Sequence, residues 1–370
     1  EGRIVLSGSV QSLDPVVLDN IKRKNISAED LMVLAKEARD VDANSYCEVI
    51  LGLPGETKIS HFQTLRTVVD AGFNKVIPYQ LMILAGSELS TQETIVKFGM
   101  ELRSRVLPRA FGIYSVSNKN VTAADIEDIC VTSNSMSYQD YIECRVMHLV
   151  ITIFYNDIVF GTLLKAIRAN GLSAFRWLEL IQESIAGTDF GKLFKEFRRH
   201  TETELWRNRK DLEAFIKKPG SIERYVKGEI GFNLLYTFKA SALVDYAESM
   251  ASIVQIAVKC LCNEADRLDS ELARFLDFVI RWDVARLSGV VKKLDSEIVE
   301  TFPYDILRFS LDEIPKKVSN YAYPNPVTWR FDLTDLQKDY VLRNLKIFGD
   351  DATGIGRVLS NSHTKQLLRQ

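Results

Sequence analysis

The chain has 370 residues, of which 46% are hydrophobic and 26% are charged, and its net charge at pH 7 is −2. This is the composition of a globular protein long enough for two or three domains. The balanced charge argues against a general nucleic-acid binder, because neutralising phosphates requires an excess of lysine and arginine. The longest apolar run, residues 146–164, is interrupted by His148, Asn156 and Asp157, so no membrane span is expected.

Strand and helix patterns alternate over the first 106 residues. The helix that opens at Pro15 has Asp14 as its predicted cap, and Ser27 to Asp30 resembles a capping box. Strands are predicted over 3–11, 45–51 and 75–84, and helices over 58–71 and 91–106. The 58–71 helix is expected to end at Gly72 and to bury Ile59, Phe62, Leu65 and Val69.

This alternation predicts a parallel sheet with right-handed crossovers. Three strands are too few for a finished domain, so the segment is interpreted as half of a barrel. Pro78 predicts a bulge or a sheet edge, because proline lacks the ladder donor.

The pattern becomes helical from about Val121. A helix is predicted after Ser137. Further along the chain, apolar residues alternate at spacings of three and four, which predicts a helix packed on another helix: Leu243, Tyr246, Met250, Ile253, Ala257 and Cys260. A strand is predicted over 325–331, with helices over 333–345 and 354–370. The fold class is therefore α/β followed by mainly α. Domain boundaries are expected at 1–112, 113–300 and 301–370.

The cysteines and histidines show no metal-ligand spacing. An odd number of cysteines without a framework predicts reduced thiols in a cytoplasmic protein, at Cys47, Cys130, Cys144, Cys260 and Cys262. The histidines, expected to be exposed or hydrogen-bonded, are His61, His148, His200 and His363. Because Glu1 enters a strand without an initiator methionine, we expect the carboxyl-terminal part of a longer protein.

The most informative stretch is Val49 to Thr57, which reads Val-Ile-Leu-Gly-Leu-Pro-Gly-Glu-Thr. It predicts a buried strand, a turn and a helix start. Gly52 and Gly55 lack a Cβ and would let the main chain approach a ligand, although an ordinary tight turn explains them equally well. Ligands of parallel sheets bind at the carboxyl ends of strands, so the turn is interpreted as one wall of a nucleoside-type cofactor site.

Three motifs in order resemble the radical SAM superfamily, in particular its cobalamin-binding-domain subgroup. Ser9 to Pro15, Val49 to Thr57 and Tyr79 to Leu89 are similar to the fourth, fifth and sixth strands of that family's barrel. The resemblance implies that residues 1–112 are the C-terminal half of a (βα)6 partial TIM barrel with an appended helical domain.

The family uses S-adenosylmethionine and a 4Fe-4S cluster, and many members of the subgroup also use cobalamin for methyl transfer. The resemblance therefore implies reductive cleavage of S-adenosylmethionine to start radical chemistry, either methyl transfer or rearrangement, on a small-molecule or lipid substrate. An external electron donor is implied as well. The family's closely spaced cysteine triad is missing, and Cys260 and Cys262 would point to opposite sides of a helix. The chain alone is therefore predicted to be inactive.

The resemblance also implies cofactor-binding residues, whereas it identifies no catalytic residue and no metal ligand in this chain. Gln11 and Ser12 would face the ribose or methionine part, Gly52 and Gly55 the adenosine, and Tyr79 and Leu81 the adenine. Gln11 has an alternative role as a helix cap, and Tyr79 and Leu81 as core residues. Glu56 would accept a hydrogen bond from a ribose hydroxyl. The preferred interpretation of Glu56, however, is an acidic residue that is favourable at a helix amino terminus. The alternative function is a catalytically silent helical binding or scaffold module with a remnant α/β segment.

Overall fold

A computed structural model describes residues 5–40, 44–289, 291–362 and 366–370. The chain divides into two compact units. Unit 1 comprises Glu1–His148 and Lys195–Leu234, and unit 2 comprises Leu149–Phe194 and Leu235–Gln370. Within the described ranges, no helix combines the length and the apolar character that crossing a bilayer requires. The domain division proposed from the sequence stays a prediction.

Unit 1 begins with three strands and the helices between them. The strands are β1 (Val5–Gln11), β2 (Asn44–Leu51) and β3 (Lys75–Gln80), and the helices are α1 (Pro15–Asn20), α2 (Ala28–Asp40) and α3 (Lys58–Ala71). The strands form a parallel sheet in the order β1-β2-β3, which confirms the predicted α/β segment. β3 lies at an edge of this sheet, as Pro78 predicted. The predicted residues Arg3 and Ile4 lie outside the described residues.

The helix α3 has the predicted limits but not the predicted buried face. Thr57 and Ser60 form a capping box, and Gly72 ends the helix with φ of 91°. Leu65 and Val69 are buried as expected, whereas Ile59 is 80% exposed, so its predicted burial is wrong. The buried face is rotated because His61 turns inward, where it finds buried hydrogen-bond partners.

A long hairpin replaces the predicted helices between Gly99 and Thr132. Helix α4 (Gln92–Phe98) ends at Gly99, which adopts the left-handed conformation with φ of 58°. β4 (Glu101–Val116) then pairs antiparallel with β5 (Lys119–Thr132). The helix predicted to reach 106 is therefore wrong, and the helical pattern predicted from about Val121 begins later, at Tyr138. Pro108 is tolerated in β4 because the register shifts between Val106 and Phe111.

Helices supply most of the remaining structure. They are α5 (Tyr138–Val150), α6 (Gly161–Ala169), α7 (Ala174–Ser184), α8 (Asp189–Thr203), α9 (Arg209–Ile216), α10 (Ser221–Val226), α11 (Leu234–Asp245), α12 (Ala247–Glu264) and α13 (Ser270–Leu287). The apolar stripe is split between α11 and α12, and α12 packs on α7, which confirms helix-on-helix packing. Cys260 is exposed and Cys262 is buried, so they point to opposite sides as predicted.

Unit 2 ends with a hairpin and three further helices. They are β6 (Ile298–Tyr304), α14 (Ile306–Leu311), β7 (Ala322–Phe331), α15 (Asp335–Phe348) and α16 (Ala352–Asn361). The predicted strand and the helix after it are confirmed. Of the helix predicted over 354–370, the part up to Asn361 is confirmed, whereas the described residues 366–370 form no α-helix. His363 lies outside the described residues.

Candidate functional site

The parallel sheet of unit 1 has one covered face and one open face. Val10, Cys47, Val49 and Val76 are buried on the face that α2 and α3 cover. Side chains alternate along a strand, so their neighbours lie on the other face. There Ser9 is exposed, Tyr79 is 48% exposed and Glu48 is half-buried. The open face therefore presents polar and aromatic groups to solvent.

One carboxylate joins the three strands on this open face. The Ser9 hydroxyl donates to Glu48 Oε2, and the Tyr79 hydroxyl donates to Glu48 Oε1 at 3.4 Å. The parallel register places Ser9 opposite Glu48 and Ile50 opposite Tyr79. A carboxylate can accept further hydrogen bonds, and a half-exposed tyrosine ring offers a flat apolar surface. The set can therefore bind a hydroxyl-bearing ligand with a planar ring.

The carboxyl end of β1 holds the predicted pair Gln11 and Ser12. Gln11 is half-buried with φ of 59°, a left-handed conformation that turns the chain out of the strand. Ser12 is fully buried, and its Oγ accepts from the Asp14 N–H at 3.2 Å. Asn25 Nδ2 donates to the Ser12 carbonyl at 2.7 Å. The cap of α1 is Asp14, as predicted, and not Gln11.

The backbone geometry of the turn after β2 accounts for both of its glycines. Gly52 has φ of 92°, and a Cβ there would lie 3.1 Å from the Cys130 carbonyl oxygen. Gly55 has φ of 85°, and a Cβ there would lie 2.5 Å from Asn20 Nδ2, which donates to the Pro54 carbonyl. Both positions thus favour glycine without any ligand. The close main-chain neighbour of Gly52 is β5.

Glu56 is fully buried and closes the same turn. Its Oε2 accepts from the Gly52 N–H at 2.7 Å, and its Oε1 contacts His61 Nδ1 at 2.9 Å. His61 Nε2 lies 2.8 Å from His148 Nε2, and Arg145 Nη1 lies 3.4 Å from His148 Nδ1. These five residues are called the histidine relay below.

Arg145 and Glu56, at opposite ends of the histidine relay, determine which ring nitrogen atoms of the two histidines carry hydrogen. Burial lowers the pKa of His148 well below its usual value, helped by His61 and Arg145, so His148 is neutral. Arg145 can only donate, so His148 Nδ1 accepts and His148 Nε2 carries the hydrogen. His61 Nε2 must then accept, and His61 Nδ1 donates to Glu56. The relay is a one-directional chain of donors from a buried cation to a buried carboxylate.

Tyr79 and Leu81, which the resemblance places together beside the adenine, occupy different environments in the structure. β3 ends at Gln80, and Leu81 is only 5% exposed in an apolar cluster with Leu53, Met100 and others. The Leu81 N–H donates to the Leu51 carbonyl at 2.8 Å. Gln80 donates to the Tyr141 hydroxyl. Loss of strand geometry after Gln80 is the reason for the difference.

The cysteines do not form a cluster site. Burial raises the pKa of the Cys47 and Cys130 thiols to about 12 and also raises that of Cys144. The thiolate is the form that binds metal, so these environments disfavour ligation. In the described parts of the chain, no group of three or more histidine, cysteine, aspartate or glutamate residues could hold a metal ion. The residues present therefore do not fit a 4Fe-4S cluster.

Sequence reasoning found the turn but missed Ser9, Glu48 and the histidine relay. Glu48 could have been noticed in the sequence. It is the one charged residue in the strand segment Tyr-Cys-Glu-Val-Ile-Leu, and charged residues are unusual in parallel strands. His61 and His148 are 87 positions apart, and nothing local links them. They were expected to be exposed or hydrogen-bonded, and the second option is confirmed.

Two methyltransferases are similar to parts of the chain. The 2-(S-pantetheinyl)-carbapenam-3-carboxylate methyltransferase of Streptantibioticus cattleyicolor is 29% identical over 137 residues, which are 37% of this chain and 19% of that protein. The cobalamin-dependent radical SAM methyltransferase TokK of Streptomyces tokunonensis is 27% identical over 195 residues, which are 51% of this chain and 28% of that protein. No family model matches the chain.

These similarities confirm the resemblance to the cobalamin-binding radical SAM subgroup. The matched segments span less than a third of either relative.

Proposed function

We propose that this chain is the carboxyl-terminal portion of a cobalamin-dependent radical SAM methyltransferase acting on a small molecule or lipid. The observation that carries the proposal is the open face of the parallel sheet, where Ser9, Glu48 and Tyr79 meet. Both similar proteins are methyltransferases by name, which favours methyl transfer over rearrangement. In this proposal, β1 to β3 form one half of a partial barrel and the open face lines its interior.

The residues of the open face suit S-adenosylmethionine. Glu48 would accept a ribose hydroxyl and also offset the positive sulfonium, while the Tyr79 ring would lie beside the adenine. Gln11 would donate its amide to the methionine carboxylate. When bound, S-adenosylmethionine supplies the methyl group and the radical chemistry, and the protein orients it and excludes water.

The other predicted residues would act by shaping the wall. Gly52, Gly55 and Glu56 would fix the turn that borders the adenosine, Ser12 would hold the loop that presents Gln11, and Leu81 would pack beneath the adenine side. The chain offers no fitting cluster ligands among its described cysteines, so the proposal assigns the cluster to residues outside those described. Cobalamin and the electron donor are proposed on the resemblance alone.

The alternative is a catalytically silent binding or scaffold module. It is favoured by the buried, protonated cysteines and by the intramolecular partners of Glu56. Under this alternative, the turn and its glycines serve folding only, and the open face has no affinity for the cofactor.

Binding of S-adenosylhomocysteine to the 370-residue chain tests the proposal. Calorimetry is expected to give a dissociation constant between micromolar and millimolar. Base stacking on an aromatic ring contributes about 1–3 kcal/mol, so Tyr79→Ala should weaken binding at least fivefold. The matched control is Tyr114→Ala, since Tyr114 is 55% exposed on the β4–β5 hairpin.

Glu48→Gln should weaken binding as well, whereas Glu93→Gln on the exposed side of α4 should not. Absence of binding at millimolar ligand would reject this wall and favour the scaffold alternative. Binding that is insensitive to Tyr79 and Glu48 would reject the assigned face.

A further inference from the structure

Unit 1 contains a cavity apart from the open sheet face. It lies between β4, the end of α8, the helices α9 and α10, and the segment 229–234, and its volume is about 360 Å³. Small-molecule sites in proteins commonly have volumes of about 300–1,000 Å³. The cavity is therefore large enough for a small organic ligand.

Aromatic side chains form much of the wall. Trp206 and Phe215 lie with their ring centroids 5.3 Å apart, and Tyr225 and Phe232 line the same cavity. Trp206 is held by main-chain hydrogen bonds in both directions with Ser104, at 2.8 and 2.7 Å. The wall is thus pre-formed, which lowers the conformational cost of binding a flat apolar group.

The segment 229–232 is fitted closely to this wall. Gly231 has φ of 71°, and a Cβ there would lie 2.3 Å from Tyr225 Cδ1. The Gly231 main chain therefore lies directly against the Tyr225 ring. This contact fixes one side of the cavity mouth.

The charged groups of the wall are unequal in number. Its guanidinium groups are those of Arg105, Arg199 and Arg224, whereas its carboxylates are those of Glu204 and Glu229. Arg105 is compensated inside the fold, by Glu127 at 2.5 Å and Glu204 at 3.2 Å.

The remaining charges lie nearer to solvent. Arg224 pairs with Glu229 at 3.3 Å, and both side chains are 50% exposed. Arg199 pairs at 2.9 Å with Glu196, which does not line the cavity. Burial lowers the pKa of His200, helped by the neighbouring Arg199, so His200 adds no charge near neutral pH. On its solvent side the cavity lining thus presents two guanidinium groups and one carboxylate, and the carboxylate that pairs with Arg199 lies outside the cavity.

We infer that this cavity binds a small organic anion with a flat, apolar body. The ring would lie among Trp206, Phe215 and Tyr225, and the anionic end would meet Arg199 and Arg224. Exposed ion pairs contribute little, so exchange of Glu229 for the ligand's anionic group would be nearly neutral, and burial of the ring would supply the affinity. The inference rests on the walls of unit 1 and not on the proposed cofactor face, so either can fail without the other.

Two probes with the same ring and opposite charges test the inference. Naphthylacetate is an anion and naphthylethylamine is a cation, and both are titrated against the full chain by ligand-observed NMR with calorimetry. We expect naphthylacetate to bind at least fivefold more tightly than naphthylethylamine. Equal affinities, tighter binding of the cation, or no binding of the anion at millimolar concentration would overturn the inference.

Variants of the cavity locate the bound anion. Arg199→Gln and Arg224→Gln should each weaken naphthylacetate binding about two- to fivefold, as expected for one partly exposed charge. Arg209→Gln is the matched control, because Arg209 bonds to Asp128 and Glu213 and does not line the cavity.

The exposed rim residue Thr203 allows a blocking variant that leaves the core intact. Thr203→Trp should abolish binding. Unchanged affinity in Thr203→Trp and in both arginine variants would place the anion elsewhere and overturn the inference.

Discussion

Replacing His148 by leucine tests the histidine relay directly. The relay joins the turn after β2 to α5 through buried donors and acceptors. Leucine fills a similar volume but neither donates nor accepts, so the change removes polarity with little change in packing. The N–H of Gly52 reports the outcome, because its acceptor is the carboxylate that His61 orients.

The expected loss follows from the partners that remain. His61 Nε2 loses its donor, and Arg145 Nη1 loses its acceptor at 3.4 Å. Arg145 Nε already has no hydrogen-bond partner, so the loss of a second hydrogen bond would leave this buried cation still less stabilised. A buried polar group without a partner costs about 1–3 kcal/mol. We expect His148→Leu to lower the local stability of unit 1 by about 2–4 kcal/mol.

Hydrogen exchange measured by mass spectrometry is the suitable assay, because it reports each unit separately. A loss of about 2–4 kcal/mol speeds exchange in peptides over 49–61 roughly 30- to 1,000-fold. A peptide over β7 in unit 2 is the internal control. His148→Gln keeps one donor and one acceptor and should recover most of the protection. The relay is refuted if leucine leaves exchange unchanged, or if glutamine is as harmful as leucine.

Three further predictions concern other groups. Burial raises the pKa of Asp283 to about 6, above the unfolded value of about 3.9, so unit 2 should lose up to about 3 kcal/mol as pH rises from 4 to 7. Urea unfolding followed by tryptophan fluorescence should show this fall in the wild type but not in Asp283→Asn. Gly52→Ala should lower the stability of the protein by about 1–2 kcal/mol more than Gly86→Ala does. Both glycines have positive φ, but only a Cβ at Gly52 would meet a close neighbour, since a Cβ at Gly86 has nothing within 4 Å. Equal losses of stability in thermal unfolding would contradict the contact of Gly52 with Cys130. A thiol reagent should modify Cys260 alone in the native protein and all five cysteines after denaturation, and Cys260→Ser should leave no fast phase.

The parts of the fold that the sequence predicted are those with local signals. Helix α3 starts at a capping box and stops at Gly72, both of which act within a few residues. The β4–β5 hairpin was missed because charged residues occupy some of its inward-facing positions, so its strands do not show the usual alternation of apolar and polar residues. Arg105 and Glu127 sit in facing strands and pair at 2.5 Å, which satisfies both in the interior. A pattern of apolar positions cannot show that two charges will neutralise each other 22 residues apart.

The candidate site divides in the same way. Gly52 and Gly55 were found because a glycine pair beside a strand end is visible in the sequence. The preferred interpretation of Glu56, an acid at a helix amino terminus, missed its main role, since it accepts from Gly52 and His61. These two partners lie only four and five residues from Glu56 in the chain. Tertiary packing supplies the next contact, in which His61 meets His148, 87 residues away on α5.

The position of Glu48 bears on the choice between a cofactor wall and a scaffold. Parallel strands are ordinarily apolar on both faces, and glutamate is disfavoured in strands. Glu48 nevertheless lies in the middle of β2, with a hydroxyl on each side from Ser9 and Tyr79. A scaffold would gain stability from an aliphatic residue at this position, because the neighbours Ile50 and Ile77 are apolar. The same carboxylate is useful on a wall that binds ribose or a sulfonium, so Glu48 favours the cofactor wall, whereas the intramolecular partners of Glu56 favour the scaffold.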